Sequence, residues 1–209
     1  LKLLDPDLAQ DADEVHRFRL EYRALYQLSH PASELDAAAS GVVRAEDLGF
    51  VDGRPYYTME LLRGETLSAR IQRARLGPLE VVTLGEALAG ILERMHRRGV
   101  IHRDLKPNNI FLVDDDLTRV KILDLGVAKL SPTFYSTTWR YQTPASQRLQ
   151  TRPGVVVGHP EYMAPERLTE GSSSDPRVDI YSLGALLYEA LTGSPRARRE
   201  QTPMGLPRE

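Results

Sequence analysis

The stretch VIHRDLKPNNIFL, Val100 to Leu112, sets His102, Arg103, Asp104, Lys106 and two Asn between two apolar runs. So much charge at a strand edge either solvates a turn or converges on an anion. Asp104, Lys106 and Asn109 fall within six residues, and Asp124 follows 15 residues after Asn109, just ahead of Leu125–Gly126. Phosphoryl transfer to a hydroxyl uses this set of groups. A carboxylate orients the nucleophile and takes its proton, while a cation and a metal ion neutralise phosphate charge. A hairpin between the two apolar runs would bring Asn109 and Asp124 together, and their oxygens suit a hard cation such as Mg²⁺.

The elements that must position these groups are readable from periodicity. Asp13 to Leu28 has Val15, Phe18, Tyr22 and Leu25 at helical spacing, stopped by His30–Pro31. Val42 to Val51 and Tyr56 to Leu62 read as strands around Asp52–Gly53, whose residues tolerate the positive φ of a tight hairpin. Thr66 to Leu76 reads as a short helix ended by Gly77–Pro78. Val82 to Arg98 reads as a longer helix with an apolar stripe from Leu84 to Met95 and Gly99 as its cap. Ile110–Val113 and Val120–Leu123 read as strands. The triplet Asp114-Asp115-Asp116 between them lacks the Gly and distal Glu of a calcium loop and reads as a solvated turn. Ser131 to Pro153 has no apolar period, as in a functional or disordered loop. Val178 to Thr192 is apolar nearly all round and predicts a helix buried at a domain centre.

Composition bounds the partners. With 209 residues the chain can bury a substantial core, and a net charge of −2 gives no global attraction to nucleic acid or anionic membrane. No apolar run reaches the ~18–20 residues of a membrane span. The absence of Cys excludes disulfides and thiolate metal sites and fits a reducing, cytoplasmic setting. Leu1 in place of Met suggests a fragment, so a membrane anchor could lie elsewhere in the parent protein.

HRDLKPNN, DLG, PEYMAPE and DIYSLG, in that order and spacing, resemble the catalytic core of protein kinases, most of all the bacterial eukaryotic-type Ser/Thr kinases. The resemblance implies an α+β, two-lobed kinase-like fold with both lobes truncated. Residues 1–62 would form a partial β-rich N-lobe, 63–193 a mostly helical C-lobe core, and 194–209 a polar disordered tail. It implies Asp104 as catalytic base, Lys106 as support for the γ-phosphate, and Asn109 and Asp124 as ligands of Mg²⁺. His102 would pack beneath the site. Lys2 would anchor ATP, paired with Glu21, 19 residues on. In YTMELLRGETL, Met59 would be the gatekeeper, and adenine would meet the Glu60 carbonyl and the Leu62 amide, the Glu60 side chain being merely solvated. Arg103 would receive phosphate carried on Thr151 in the activation segment. Asp179 would fasten the catalytic loop. The implied partners are ATP and protein Ser/Thr hydroxyls, with a kinase dimer for autophosphorylation.

Three departures stand out. No Gly-rich strand–loop–strand precedes Lys2, the helices that complete the C-lobe are missing, and His159 stands where such kinases carry a Thr. Loss of those helices would leave Glu166 solvated or in need of another cation. Two readings follow: a Ser/Thr kinase, or a pseudokinase or truncated module that binds nucleotide or partners without catalysis. A small-molecule kinase of related fold fits less well, because APE and DIYSLG belong to the protein-kinase branch.

Overall fold

The computed structural model describes residues 1–30, 41–125, 159–170 and 175–195. An N-terminal sheet has the order β1 (Lys2–Leu3), β3 (Arg54–Met59), β2 (Ala45–Val51), all antiparallel, with Lys2 opposite Tyr57. The β2–β3 turn is made by Asp52 and Gly53 at φ 50° and 74°, the primed geometry that matches strand twist. Helix α1 (Ala12–Ser29) packs on this sheet. The Asp11 carboxylate accepts from the Asp13 and Glu14 amides at its start, and its inner face buries Phe18, Ala24, Leu25 and Leu28.

A second antiparallel sheet runs β4 (Gly64–Thr66), β5 (Ile110–Val113), β6 (Val120–Ile122). Asp114 and Asp115 turn the β5–β6 hairpin at φ 53° and 60°, and Asp116 accepts from the Thr118 amide and hydroxyl at 2.8 Å. The acidic triplet is therefore a turn. Thr66 Oγ1 caps α2 (Leu67–Arg73) through the Ala69 amide.

Helix α3 (Pro78–Arg97) starts four residues before its expected beginning at Val82. Pro78 sets the first helical φ without needing a donor, and the Glu80 carboxylate reaches back to the Gly77 amide at 2.7 Å. Gly77–Pro78 thus opens a helix, and α2 has already ended at Arg73. The stripe Leu84, Leu88, Ile91, Leu92, Met95 is buried against β5, β6 and α5 (Arg177–Thr192) in one continuous core. Helix α4 (Pro165–Glu170) lies between.

Helix α5 differs from expectation. Val178, Leu183, Leu186 and Ala190 are buried, but Ile180 is 52% exposed, and Tyr181 and Leu191 also reach the surface. Among the described residues it packs by one face.

The two sheets are joined at residues 41–43. Val42 bridges Ile122 in parallel, Val43 N–H donates to the Ile122 carbonyl, and Ile122 N–H donates to the Gly41 carbonyl, both at 2.8 Å. Gly64 sits at φ 129°, and a Cβ there would lie 1.9 Å from the Leu112 carbonyl oxygen. Gly64→Ala should therefore destabilise the fold by at least about 2 kcal/mol, read as a lower urea midpoint at unchanged m-value.

Candidate active site

The polar loop between α3 and β5 is held from beneath by one buried carboxylate. Asp179, at the start of α5 and fully buried, accepts from the His102 and Arg103 amides and pairs with His96 Nε2, each at 2.8 Å. Burial alone would raise its pKa. The hydrogen bonds from His96 and the two amides, with the nearby His102 ring, outweigh that and hold it below the ordinary carboxylate value. Burial, opposed by nearby carboxylates, pushes the His102 pKa down, and the neutral ring accepts from the Asp104 amide through Nδ1 at 3.2 Å. Arg103 lies at φ 67°, and buried Arg167 of α4 donates to its carbonyl.

This path presents Asp104, Lys106 and Asn109 together. Lys106 Nζ lies 2.9 Å from Asp104 Oδ2 and 3.0 Å from His159 Nδ1, and His159 Nδ1 is 3.6 Å from Asp104 Oδ1. Asn109 Nδ2 donates to the Asp104 carbonyl at 3.0 Å, which directs its Oδ1 elsewhere. Leu123 N–H donates to the Asn109 carbonyl at 2.9 Å, so the hairpin brings Asp124 beside Asn109 as the spacing predicts.

Asp124 meets the N-terminal sheet. Lys2 Nζ lies 3.0 Å from Asp124 Oδ1 and 2.6 Å from Glu21 Oε1, and the Tyr57 hydroxyl also donates to Glu21. One ammonium serves two carboxylates. Burial, the Asp124 charge and a hydrogen bond shared with Asp124 push the Glu21 pKa up to about 7 against the pull of Lys2. Burial opposes the ionised form of Asp124 too, but Lys2 and the bond from Glu21 hold its pKa below the ordinary value. Burial lowers the Lys2 pKa less than the two carboxylates raise it.

The protein kinase domain model matches residues 6–204. This chain belongs to the protein kinase family. It is 36% identical over 195 residues to the serine/threonine-protein kinase Pkn1 of Myxococcus xanthus, covering 92% of this chain and 25% of that protein. Over 189 residues it is 39% identical to the DNA damage-responsive serine/threonine-protein kinase RqkA of Deinococcus radiodurans, covering 86% and 24%. The crystal structure of the Mycobacterium tuberculosis PknI kinase domain superposes with a TM-score of 0.61 at 28% identity, over 93% of this chain and 62% of that one. The chain thus spans about a quarter of the length of these two curated relatives.

The segment expected as the hinge follows the end of β3. Met59 closes the strand opposite Ala45 and packs on the core. Loop and turn hydrogen bonds among the described residues use neither the Glu60 carbonyl nor the Leu62 amide. The Glu60 side chain is not merely solvated. It accepts from the Arg44 amide at 2.7 Å and pairs with Lys121 Nζ at 2.9 Å. Burial would raise its pKa, and these two partners hold it below the usual range.

Three supporting residues carry no sequence signal of their own: His96 on Asp179, Arg167 on the Arg103 carbonyl, and Lys121 on Glu60. Tyr57 stands opposite Lys2 in the sheet, and its ring packs against Phe18 of α1 with centroids 5.1 Å apart. Glu166 is exposed, and its charge acts on Arg177. Thr151, Gly126 and the expected activation segment between them lie outside the described residues.

A raised folded-state pKa for Glu21 means that its stabilising contribution is complete below about pH 4.5 and is lost as pH rises through about 7. Glu21→Gln, neutral at every pH, should therefore gain stability over wild type as pH rises from 5 to 8, by up to about 3 kcal/mol, in parallel denaturation curves. A variant equally destabilised at both pH values would contradict this account.

Proposed function

We propose that the protein of which this chain is the kinase core transfers the γ-phosphoryl group of ATP to Ser or Thr hydroxyls of protein substrates. The observation that carries this reading is a pair of polar clusters, Asp104–Lys106–Asn109 on the loop and Lys2–Glu21–Asp124 drawn from β1, α1 and the end of β6, linked by the Leu123 N–H bond to the Asn109 carbonyl. The substrate hydroxyl docks at Asp104, whose carboxylate accepts its proton as the new oxygen–phosphorus bond forms. The bond from the γ-phosphorus to the bridging oxygen breaks, and ADP leaves. Lys106 balances charge on the transferring group, and Lys2, held by Glu21, reaches the inner phosphates. Met59 backs the adenine, which bonds to the Glu60 carbonyl and the Leu62 amide.

The donor set fits Mg²⁺. Asn109 keeps Oδ1 available because Nδ2 is committed, and the Asp124 side chain is 41% exposed. Among the described residues no trio of His, Asp or Glu is placed to hold an ion alone. Mg²⁺ suits such a site, because it takes one or two protein oxygens and completes its shell with phosphate and water. Bound there, the ion would neutralise phosphate charge.

In Mg-ATP the full-length protein should phosphorylate a generic basic protein, and Asp104→Asn should lower the rate by about 10³-fold or more with folding intact. The second reading, nucleotide binding without transfer, is favoured by the His159 contact with Lys106. It would show as ATP binding with no phosphate transfer by wild type.

Arg103 is the proposed receiver of phosphate on Thr151, which would order the activation segment. After incubation with Mg-ATP, phosphosite mapping should find Thr151 modified. A segment phosphorylated elsewhere but not at Thr151 would refute the assignment.

A further inference from the structure

His159 occupies a position that the transfer reaction must use, and its contacts depend on its own proton. Lys106 has only donors, so a 3.0 Å contact from Nζ to His159 Nδ1 requires a lone pair on Nδ1. The neutral ring therefore carries its hydrogen on Nε2. In this form it accepts from Lys106, which also holds Asp104 Oδ2. Asp104 Oδ1 is then left facing His159 Nδ1 at 3.6 Å, beyond hydrogen-bond distance and available to a hydroxyl.

Protonation reverses these roles. Nδ1–H becomes a donor facing an ammonium at 3.0 Å, which repels it, and a carboxylate oxygen at 3.6 Å, which attracts it. A small movement of the half-exposed ring takes Oδ1. Both oxygens of Asp104 are then occupied by cations. Among the described residues, the other charged groups around this cleft are Arg103 from the loop and Arg167 from α4, with Asp179 beneath them. The two guanidiniums add positive charge to the side already holding Lys106.

We propose that His159 is a positioning residue that couples transfer to proton concentration. Neutral, it holds Lys106 on Oδ2 and leaves Oδ1 to the substrate; protonated, it occupies Oδ1 and excludes the hydroxyl. This rests on the phosphotransferase reading above.

The test is the pH dependence of kcat for the full-length protein and for His159→Thr. On acidification from pH 8 to pH 6, wild type should lose rate by at least about five-fold more than the variant, with little change in the KM for ATP. Superimposable profiles would overturn the proposal. A second measurement does not need activity. In protein labelled at histidine with ¹⁵N, the signal removed by His159→Thr should report the Nε2–H tautomer when neutral. Its titration midpoint should fall in Asp104→Asn, which removes the attraction, and rise in Lys106→Met, which removes the repulsion. An Nδ1–H tautomer, or midpoints that neither variant moves, would overturn the proposal. If wild type transfers no phosphate at all, the phosphotransferase reading fails and the coupling to transfer falls with it, while the tautomer and midpoints still decide whether His159 exchanges Lys106 for Asp104 on protonation.

Discussion

A carboxylate with no access to solvent sits under the catalytic loop, and the geometry above it follows from that burial. An unpaired charge at Asp179 would cost several kcal/mol, so its oxygens must be met, and the donors that meet them are the amides of His102 and Arg103 and the ring of His96. Two consecutive amides pointing at one carboxylate fix the path of the backbone. That path holds Arg103 at positive φ, a conformation that costs on the order of 1 kcal/mol for a residue with a side chain. Arg167 grips the Arg103 carbonyl from α4, so the peptide is clamped from two elements. The Asp104 side chain points where it does because the residues before it cannot move.

Above the loop the balance of charge is deliberately incomplete. Lys2 stands between Glu21 and Asp124, leaving one negative charge in excess. A proton on Glu21 is how the protein alone absorbs that excess, which explains why the Glu21 pKa rises while that of Asp124 falls. A site built to be neutral by itself would attract no further cation. The proposed metal at the Asp124 carboxylate would offset that excess, and Glu21 would then ionise and hold Lys2.

The proximity of the candidate site residues was legible in the sequence because they are close along the chain or separated by a hairpin whose turn residues declare it. Asp52–Gly53 and the Asp triplet have turn chemistry that little else satisfies. Gly77–Pro78 was ambiguous for a physical reason: a Pro that ends one helix is equally suited to begin the next, and the deciding contact is the Glu80 side chain returning to Gly77. Strand β4 is three residues long and exists because β5 offers it an edge, so no local pattern announces it. The supporting residues His96, Arg167 and Lys121 have ordinary surface-residue identities. What makes them structural is a partner 61 to 83 residues away, which periodicity cannot see. The exposed flank of α5 was invisible for the converse reason, since hydropathy says what a helix can bury and not what is present to cover it.

Strand β6 and the two residues after it show how these parts become one machine. Lys121 reaches the Val42 carbonyl and Glu60, at the segment proposed to hold adenine. Ile122 bonds through its backbone to Gly41 and Val43, Leu123 donates to the Asn109 carbonyl, and Asp124 meets Lys2. Four consecutive residues thus contact the segment after β3, the junction of the sheets, the loop between α3 and β5, and the N-terminal sheet. A strand rises about 3.3 Å per residue, so these anchor points span only about 10 Å of chain. The proposed adenine and metal ends of the cleft are set by one short, doubly hydrogen-bonded ruler. Their spacing therefore follows from where the backbone of β6 and the two residues after it presents the Lys121 and Asp124 side chains, an arrangement suited to the proposed alignment of a nucleotide against Asp104.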